Sequence, residues 1–331
     1  MTLPTVRLFL LGGTITMEKA RGGGVVPTMD AATLCRAVPG LDRVATVEPR
    51  TDQMVASGNL TYEHAIDLAA KITQAAVSGA ADGFVIVQGT DTLEEMAFIL
   101  DCLLDIDRPV VVTGAMRNPT SLSADGPANI LAAVTCAATK KVARAGVVVV
   151  LNDEIHVARF VTKTHSGSVG TFQSPNMGPV GRVTEGKVSL FSLPVVGPKV
   201  TLPDPGITPK IALIKTSLGD EGHLLELINQ SDFQGLVIEG FGAGHVPESY
   251  LDSLDKILPK MPVILASRTQ AGHVLRQTYG FAGSEIDLIR RGLVPSGILD
   301  GLKAKSLLTL LLMSGASQAE ITTAFAAWDL T

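Results

Sequence analysis

The sequence predicts an α/β protein with mainly parallel sheets, and three observations carry that reading. Four segments of strand length are apolar almost throughout: Arg7 to Leu11, Gly83 to Val87, Pro109 to Thr113 and Gly146 to Leu151. Strands covered on both faces by helices have this composition, whereas half-exposed strands alternate. Between them, Thr61 to Ser78, Thr92 to Leu104 and Asp125 to Ala138 repeat their apolar residues at helical spacing. In the first, Ile66, Ala69, Ala70, Ile72 and Thr73 mark one face, and Glu63, Asp67 and Lys71 another. The third observation is a break: Pro194, Pro198, Pro203, Pro205 and Pro209 crowd one short stretch, as in an extended linker.

Strand and helix alternation of this kind builds a parallel sheet with helices on both sides. Beyond the break it resumes. Ile211 to Ile214, Leu236 to Glu239 and Pro262 to Ala266 read as strands, with helices over Glu221 to Asn229, Pro247 to Leu258, Asp300 to Met313 and Ser317 to Ala327. The expected organisation is an N-terminal domain over 1–195, a linker over 196–209 and a C-terminal α/β domain over 210–331.

Composition narrows the function. A chain of 331 residues, 46% hydrophobic and 18% charged, buries a sizeable core and is not disordered. With 27 basic against 32 acidic residues, one Trp and three Tyr, it lacks the basic, aromatic footprint of a nucleic-acid binder. No apolar run reaches the roughly 18 residues of a membrane span; Leu307 to Met313 ends at Ser314-Gly315 and reads as buried helix. The N-terminal segment does not have the pattern of a signal peptide. Cys35, Cys102 and Cys136 are scattered through apolar helical stretches, which favours buried thiols over disulfides and a cytoplasmic protein. The six histidines show no H-x-H or H-E-x-x-H spacing, so a zinc-water mechanism has no visible ligand set and metal-free chemistry is expected.

In open α/β sheets, ligands bind beyond the carboxyl ends of the strands. Three successive strand ends carry glycine: Gly12-Gly13-Thr14-Ile15-Thr16, Gln88-Gly89-Thr90-Asp91-Thr92 and Gly114-Ala115-Met116-Arg117. The glycine pair suits a sharp turn that lets backbone approach a small ligand and leaves the Thr14 hydroxyl at the rim, although a phosphate turn or a tight corner has the same look. A dinucleotide fingerprint, G-x-G-x-x-G, is absent here. Thr92 with Glu95 fits a capping box, so a helix cap alone would account for the second string; Thr90 has no such duty. Lys163 reads either as a surface charge or, partly desolvated beside Thr90 and Asp91, as a group that holds or accepts a proton. A hydroxyl, a carboxylate and a lysine from separate strand ends can form a proton-handling set.

These residues resemble the bacterial-type asparaginases and glutaminases. Leu11-Gly12-Gly13-Thr14-Ile15 is similar to that family's first signature and Gln88-Gly89-Thr90-Asp91-Thr92 to its second. Ser57, Gly114 to Arg117, the S-x-D-G-x-x-N spacing of Ser123 to Asn129, Val161 to Thr164, and Tyr279 to Glu285 match in order along nearly the whole chain. The resemblance implies a larger N-terminal and a smaller C-terminal α/β domain, a dimer or a tetramer of dimers, and no cofactor. It implies hydrolysis of L-asparagine to L-aspartate and ammonia, with Thr14 as nucleophile forming an acyl-enzyme. Thr90, Asp91 and Lys163 would handle protons, and Ser57 and Asp91 would hold the α-carboxylate and α-amino group, with Gly58, Asn59, Gly89 and Ala115 bordering the pocket.

Two departures from the family leave choices open. The segment after the first signature, Met17 to Thr28, has no tyrosine where type II members usually carry one, although Gly22 to Gly24 still read as a lid. Thr16, Tyr279 and Glu285 are candidate helpers for Thr14, the latter two from a glycine-rich loop that could equally be an ordinary loop with a buried ring and a surface acid. After Ser57, type II enzymes often have a glutamine that contacts the substrate amine, and this chain has Gly58-Asn59. Glutamine, D-asparagine or another small amide is therefore an alternative substrate, and an amino-acid-binding protein of weak activity an alternative function.

Overall fold

The computed structural model describes residues 2–329 except Thr14, Thr16, 20–24, Thr28, Asp204 and Pro205, with backbone alone described for 17–19 and 25–27. The chain divides into two compact units, 1–199 and 200–331.

The first unit opens with β1 (Thr5–Leu10), a ribbon of β2 (Met17–Lys19) and β3 (Val25–Pro27), helix α1 (Ala31–Arg36) and β4 (Thr46–Thr51). Helix and strand then alternate through α2 (Tyr62–Val77), β5 (Gly83–Val87), α3 (Leu93–Leu103), β6 (Val110–Thr113), α4 (Gly126–Ala137) and β7 (Val147–Leu151). It finishes with β8 (Glu154–Val157), a two-stranded pair of β9 (Thr162–Lys163) and β10 (Phe172–Gln173), and β11 (Gly181–Thr184) with β12 (Lys187–Leu190). The main sheet runs β12-β11-β8-β7-β6-β5-β1-β4. Its β7, β6, β5, β1 and β4 are parallel, and the other three are antiparallel additions. The apolar segments form the parallel centre, where every residue of β5 and β7 is buried. Helix α2 starts at Thr61, which forms a capping box with His64, and buries Ala65, Leu68, Ala69 and Ile72.

Four strands of the sheet were not legible in the apolar pattern. Strand β4 is the exposed edge, reading T-V-E-P-R-T, and its proline is tolerated there because an edge strand leaves amides unpaired. Strands β8, β11 and β12 are joined through tight reversals, β7 to β8 at Asn152 and Asp153, with φ of 52° and 60°, and β11 to β12 at Glu185 and Gly186, with φ of 50° and 68°, each the left-handed pair of a two-residue hairpin.

The second unit holds a parallel sheet ordered β13 (Ile211–Lys215), β14 (Gly235–Gly240), β15 (Val263–Ser267) and β16 (Val294–Pro295). Its helices are α5 (His223–Asn229), α6 (Leu251–Ile257), α7 (Glu285–Arg291), α8 (Gly301–Met313) and α9 (Gln318–Ala326). The run Leu307 to Leu311 is buried within α8. Among the described residues, no helix is long and apolar enough to cross a membrane. The loop expected over Tyr279 to Glu285 is corrected at its end: Ser284 caps α7 and Glu285 is that helix's first residue. The exposures are also the reverse of an ordinary loop with a buried ring and a surface acid, since Glu285 is 0% and Tyr279 43% exposed. Glu285 is drawn inward because Thr278 and Tyr279 donate backbone N–H bonds to its Oε1 (2.9 and 2.7 Å) and His245 Nε2 lies 3.2 Å from Oε2. Tyr279 and Phe281 stand edge-on to the His245 ring at 4.8 and 5.0 Å.

The ends of β1, β5 and β6 meet almost without side chains. Gly12 and Gly13 have φ of 103° and 93°. A Cβ on Gly13 would overlap the Gly89 backbone and come 2.9 Å from the Gln88 carbonyl carbon, and one on Gly12 would come 2.8 Å from Val55 N. Gly58, by contrast, has open space where a Cβ would stand. Gly13→Ala is therefore expected to lower stability by about 2–4 kcal/mol, from left-handed strain plus overlap, while Gly58→Ala stays within about 0.5 kcal/mol. Urea denaturation of both variants checks the contrast, and equal midpoints would contradict it.

Burial alone would raise the Glu285 pKa, but the amides of Tyr279, Thr278 and Glu285 itself, together with His245, hold it below the usual carboxylate range. The folded state then binds fewer protons than the unfolded one, so this stabilisation is present above the ordinary glutamate value of about 4.3 and is lost as pH falls through the folded value. Glu285→Ala takes the acceptor from the Thr278 and Tyr279 amides and is expected to lose about 1–3 kcal/mol at neutral pH. Its stability is also expected to fall less steeply than that of the parent between pH 5 and 3. Parallel pH curves by chemical denaturation would contradict this.

Candidate active site

Four segments of the first unit converge at the carboxyl ends of β1 and β5. Leu11 N–H extends β1 by donating to Val87 O (2.9 Å), which carries the first glycine pair against the second signature. Gly89 is itself tight, since a Cβ there would come 2.7 Å from Ser57 Oγ and 3.2 Å from Gly13 Cα. Ser57, buried in a short 3-10 turn, is bonded to the second signature twice. Its Oγ accepts from Asp91 N–H (3.3 Å) and its carbonyl accepts from the Thr92 hydroxyl (3.0 Å).

That second bond corrects the expected capping box. Thr92 is the N-cap of α3 by position, yet its side chain makes no cap bond. Its proton ties two loops together, and its oxygen, which has lone pairs to spare, accepts no bond from the helix amides. Gly89, Thr90 and Asp91 thus sit in a turn fixed from both sides.

The third side comes from the β9–β10 pair, where Lys163 is opposite Phe172. Lys163 Nζ donates to Thr90 Oγ1 at 3.0 Å and to Asp91 Oδ1 at 2.7 Å. Thr90 is buried, the Lys163 side chain is 16% exposed and that of Asp91 75%. The ammonium is enclosed while its carboxylate partner reaches solvent, so the ion pair adds little to stability. Its chemistry is another matter: Thr90 Oγ1 accepts from the amine and retains its own proton for donation.

Ala115 is buried behind this arrangement. Asn129, in α4, donates to Gly114 O (3.0 Å) and to Asp125 Oδ2 (3.1 Å), and Asp125 accepts from Met116 N–H (3.0 Å) and Arg117 N–H (2.9 Å). Asn129 Oδ1 also accepts from Asn152 N–H (3.0 Å), at the β7–β8 turn. The S-x-D-G-x-x-N spacing is thus a strut for the third strand end, a role that the spacing alone did not reveal. Its Gly126 makes room for Ile15, whose Cγ1 a Cβ there would meet at 2.8 Å.

Of the residues expected to form the site, the fold gathers Ser57, Gly89, Thr90, Asp91 and Lys163, with Ala115 behind them. Gly58 and Asn59 are exposed at the Ser57 turn. Thr14, Thr16 and the lid glycines Gly22 to Gly24 lie outside the described residues; the flanking β2 and β3 pair antiparallel. Tyr279 and Glu285 belong to the second unit, in the cluster around His245. No thiol offers an alternative nucleophile, because burial raises the Cys35 pKa to about 11, that of Cys136 to about 12 and that of Cys102 well above its ordinary value. Among the described residues, no group of three His, Cys, Asp or Glu is placed to hold a metal.

Known proteins are similar to this chain along most of its length. The family described as "Asparaginase, N-terminal" matches residues 5–195, and "Glutaminase/Asparaginase C-terminal domain" matches 210–325. A probable periplasmic L-asparaginase of Haemophilus influenzae is 34% identical over 318 residues, covering 94% of this chain and 89% of that protein. L-asparaginase 2 of Escherichia coli K12 is 34% identical over 327 residues, covering 94% and 90%. The crystal structure of a probable cytoplasmic L-asparaginase from Campylobacter jejuni superimposes with a TM-score of 0.88 at 31% identity, covering 98% of this chain and 99% of that one. With both units matched and relatives above 30% identity along almost its entire length, the chain belongs to the bacterial-type L-asparaginase family.

Proposed function

We propose that the protein hydrolyses L-asparagine to L-aspartate and ammonia, and the observation that carries this reading is the Lys163 amine held jointly by Thr90 and Asp91. Thr14 Oγ attacks the side-chain amide carbonyl and gives up its proton; the C–N bond breaks and ammonia leaves with a proton supplied at the site. Water then attacks the acyl-threonine, its proton returns to the threonine oxygen, and aspartate departs. Thr90, Asp91 and Lys163 relay these protons, and Ser57 with Asp91 holds the amino-acid end of the substrate. An unaided threonine is a weak nucleophile, so groups of this kind must be present.

Support comes from the packing of Gly13 against Gly89, which joins the first signature to the second, and from relatives named as L-asparaginases. A homo-oligomer and a cytoplasmic location complete the reading. They rest on the family resemblance and on the scattered free cysteines. A second reading, activity on glutamine, D-asparagine or another small amide, is favoured by Gly58, which has no side chain and has open space where a Cβ would stand.

Thr14→Ala is expected to lower ammonia release from L-asparagine by on the order of 10³-fold or more, and Lys163→Met by about 10²-fold or more. Lys163→Met is expected to change unfolding free energy by less than about 1 kcal/mol, because Asp91 is open to solvent. Turnover within tenfold of the parent in both variants would remove the assignment. Assayed with L- and D-asparagine, glutamine and simple amides, the parent is expected to prefer L-asparagine; preference for another amide selects the second reading.

A further inference from the structure

His156 is wholly buried in β8, in the body of the main sheet, and belongs to none of the groups discussed above. Its Nδ1 lies 2.9 Å from Ser174 Oγ, and Ser174 is 4% exposed. Its Nε2 lies 3.4 Å from Glu154 Oε2, a long charge contact and not a hydrogen bond, and Glu154 is paired in turn with Arg182 of β11. The carboxylate favours the tautomer with its proton on Nε2, so Ser174 donates its hydroxyl proton to Nδ1. Burial lowers the His156 pKa, Glu154 opposes that shift and Arg182 adds to it, which keeps the ring neutral and able to accept.

The place of this bond gives it meaning. Strand β8 passes through a tight turn, where Phe160 and Val161 N–H both donate to Val157 O, directly into β9 and Lys163. The chain then returns as β10, only two residues long, with Phe172 opposite Lys163 and Gln173 opposite Thr162, and Ser174 follows at once. The returning strand is thus tied by its far end to the same sheet strand from which the excursion left. Other side-chain bonds, Thr164 Oγ1 to Thr171 O (2.8 Å) and Gln173 Nε2 to Gly170 O (2.9 Å), stay within the excursion and do not fasten it to the sheet. From α3, Glu94 accepts from Lys163 N–H at 3.4 Å.

We propose that His156, through its bond to Ser174, is a positioning residue that fixes the β9–β10 pair and so holds the Lys163 amine at Thr90 and Asp91. It touches no substrate; it acts through the strand pair. The inference deepens the proposed reaction and rests on that reading for its effect on rate, whereas the position of the Lys163 amine is a property of the fold and can be followed without substrate.

The test combines both readouts in Ser174→Ala, His156→Ala and His156→Asn, whose shorter amide reaches toward the same hydroxyl from the position of Nδ1. Lys163 is labelled with an amine-acylating reagent at limiting concentration, and each lysine is quantified by peptide mass spectrometry. In Ser174→Ala, Lys163 is expected to label about threefold faster or more while the other lysines are unchanged. In the same variant kcat for asparagine is expected to fall about tenfold with KM within about twofold, as displacement of a reacting group gives. His156→Ala is expected to follow, and His156→Asn to recover most of both losses. Should His156→Ala not fold, as judged by near-UV circular dichroism, Ser174→Ala carries the test. Unchanged Lys163 labelling in folded Ser174→Ala overturns the inference whatever the activity. Absence of asparagine turnover in the parent would instead count against the proposed reaction and leave the labelling result standing on its own.

Discussion

The site depends on one contact: the Gly89 backbone packed so closely on Gly13 that Gly13 admits no side chain, while Ser57 in turn closes off Gly89. Parallel neighbours β1 and β5 deliver their carboxyl ends side by side, as any such sheet must, but ordinary side chains would hold the two following turns apart. Glycine removes that spacing, and the left-handed φ of Gly13 turns the chain over the end of the sheet. The same economy recurs outward. Gly89 leaves room for Ser57, Gly114 for the Gln88 carbonyl and the Thr90 methyl group, and Gly126 for Ile15. The signature glycines are steric requirements of a shared centre, and the polar residues beside them inherit their positions from that packing.

Lys163 completes the arrangement from a different kind of structure. The glycine turns come from strand ends of a rigid sheet, whereas the amine comes from a two-residue strand pair carried beyond it. An enclosed ammonium whose carboxylate partner is largely in solvent is a poor stabilising device. It is a suitable device for moving a proton between an alcohol and water, because the charge is already placed and little must reorganise when it is used. Electrostatic preorganisation of this sort relies on the scaffold to hold the amine, which is why the buried His156 and Ser174 pair bears on chemistry that neither residue touches.

Much of this was legible in the sequence because burial leaves a plain record. Continuous apolar runs located β1, β5, β6 and β7, and helical periodicity located α2, α3 and α4. Glycine after a strand directed attention to Gly13, Gly89 and Gly114. What escaped was whatever lacks an apolar pattern: the polar edge strand β4, the hairpins made by left-handed turns, and helix α7, whose opening acid is buried by hydrogen bonding and not by hydrophobicity. The capping spacing of Thr92 and Glu95 left a helix cap open as one reading, and the bond that Thr92 makes to Ser57 O instead is not visible in spacing. Asn129 and Asp125 appeared only as a motif, since their bonds to Gly114, Met116 and Arg117 are long-range facts of the fold.

The most direct measurement is a crystal structure of the protein soaked with L-aspartate, the product of the proposed reaction. The α-carboxylate is expected at the Ser57 turn, the amino group beside Asp91, and the side-chain carboxyl facing Thr90, with Lys163 Nζ within hydrogen-bond distance of both Thr90 Oγ1 and Asp91. A Lys163 amine turned to solvent, or aspartate bound away from Ser57 and Asp91, would contradict the shared centre on which the assignment stands.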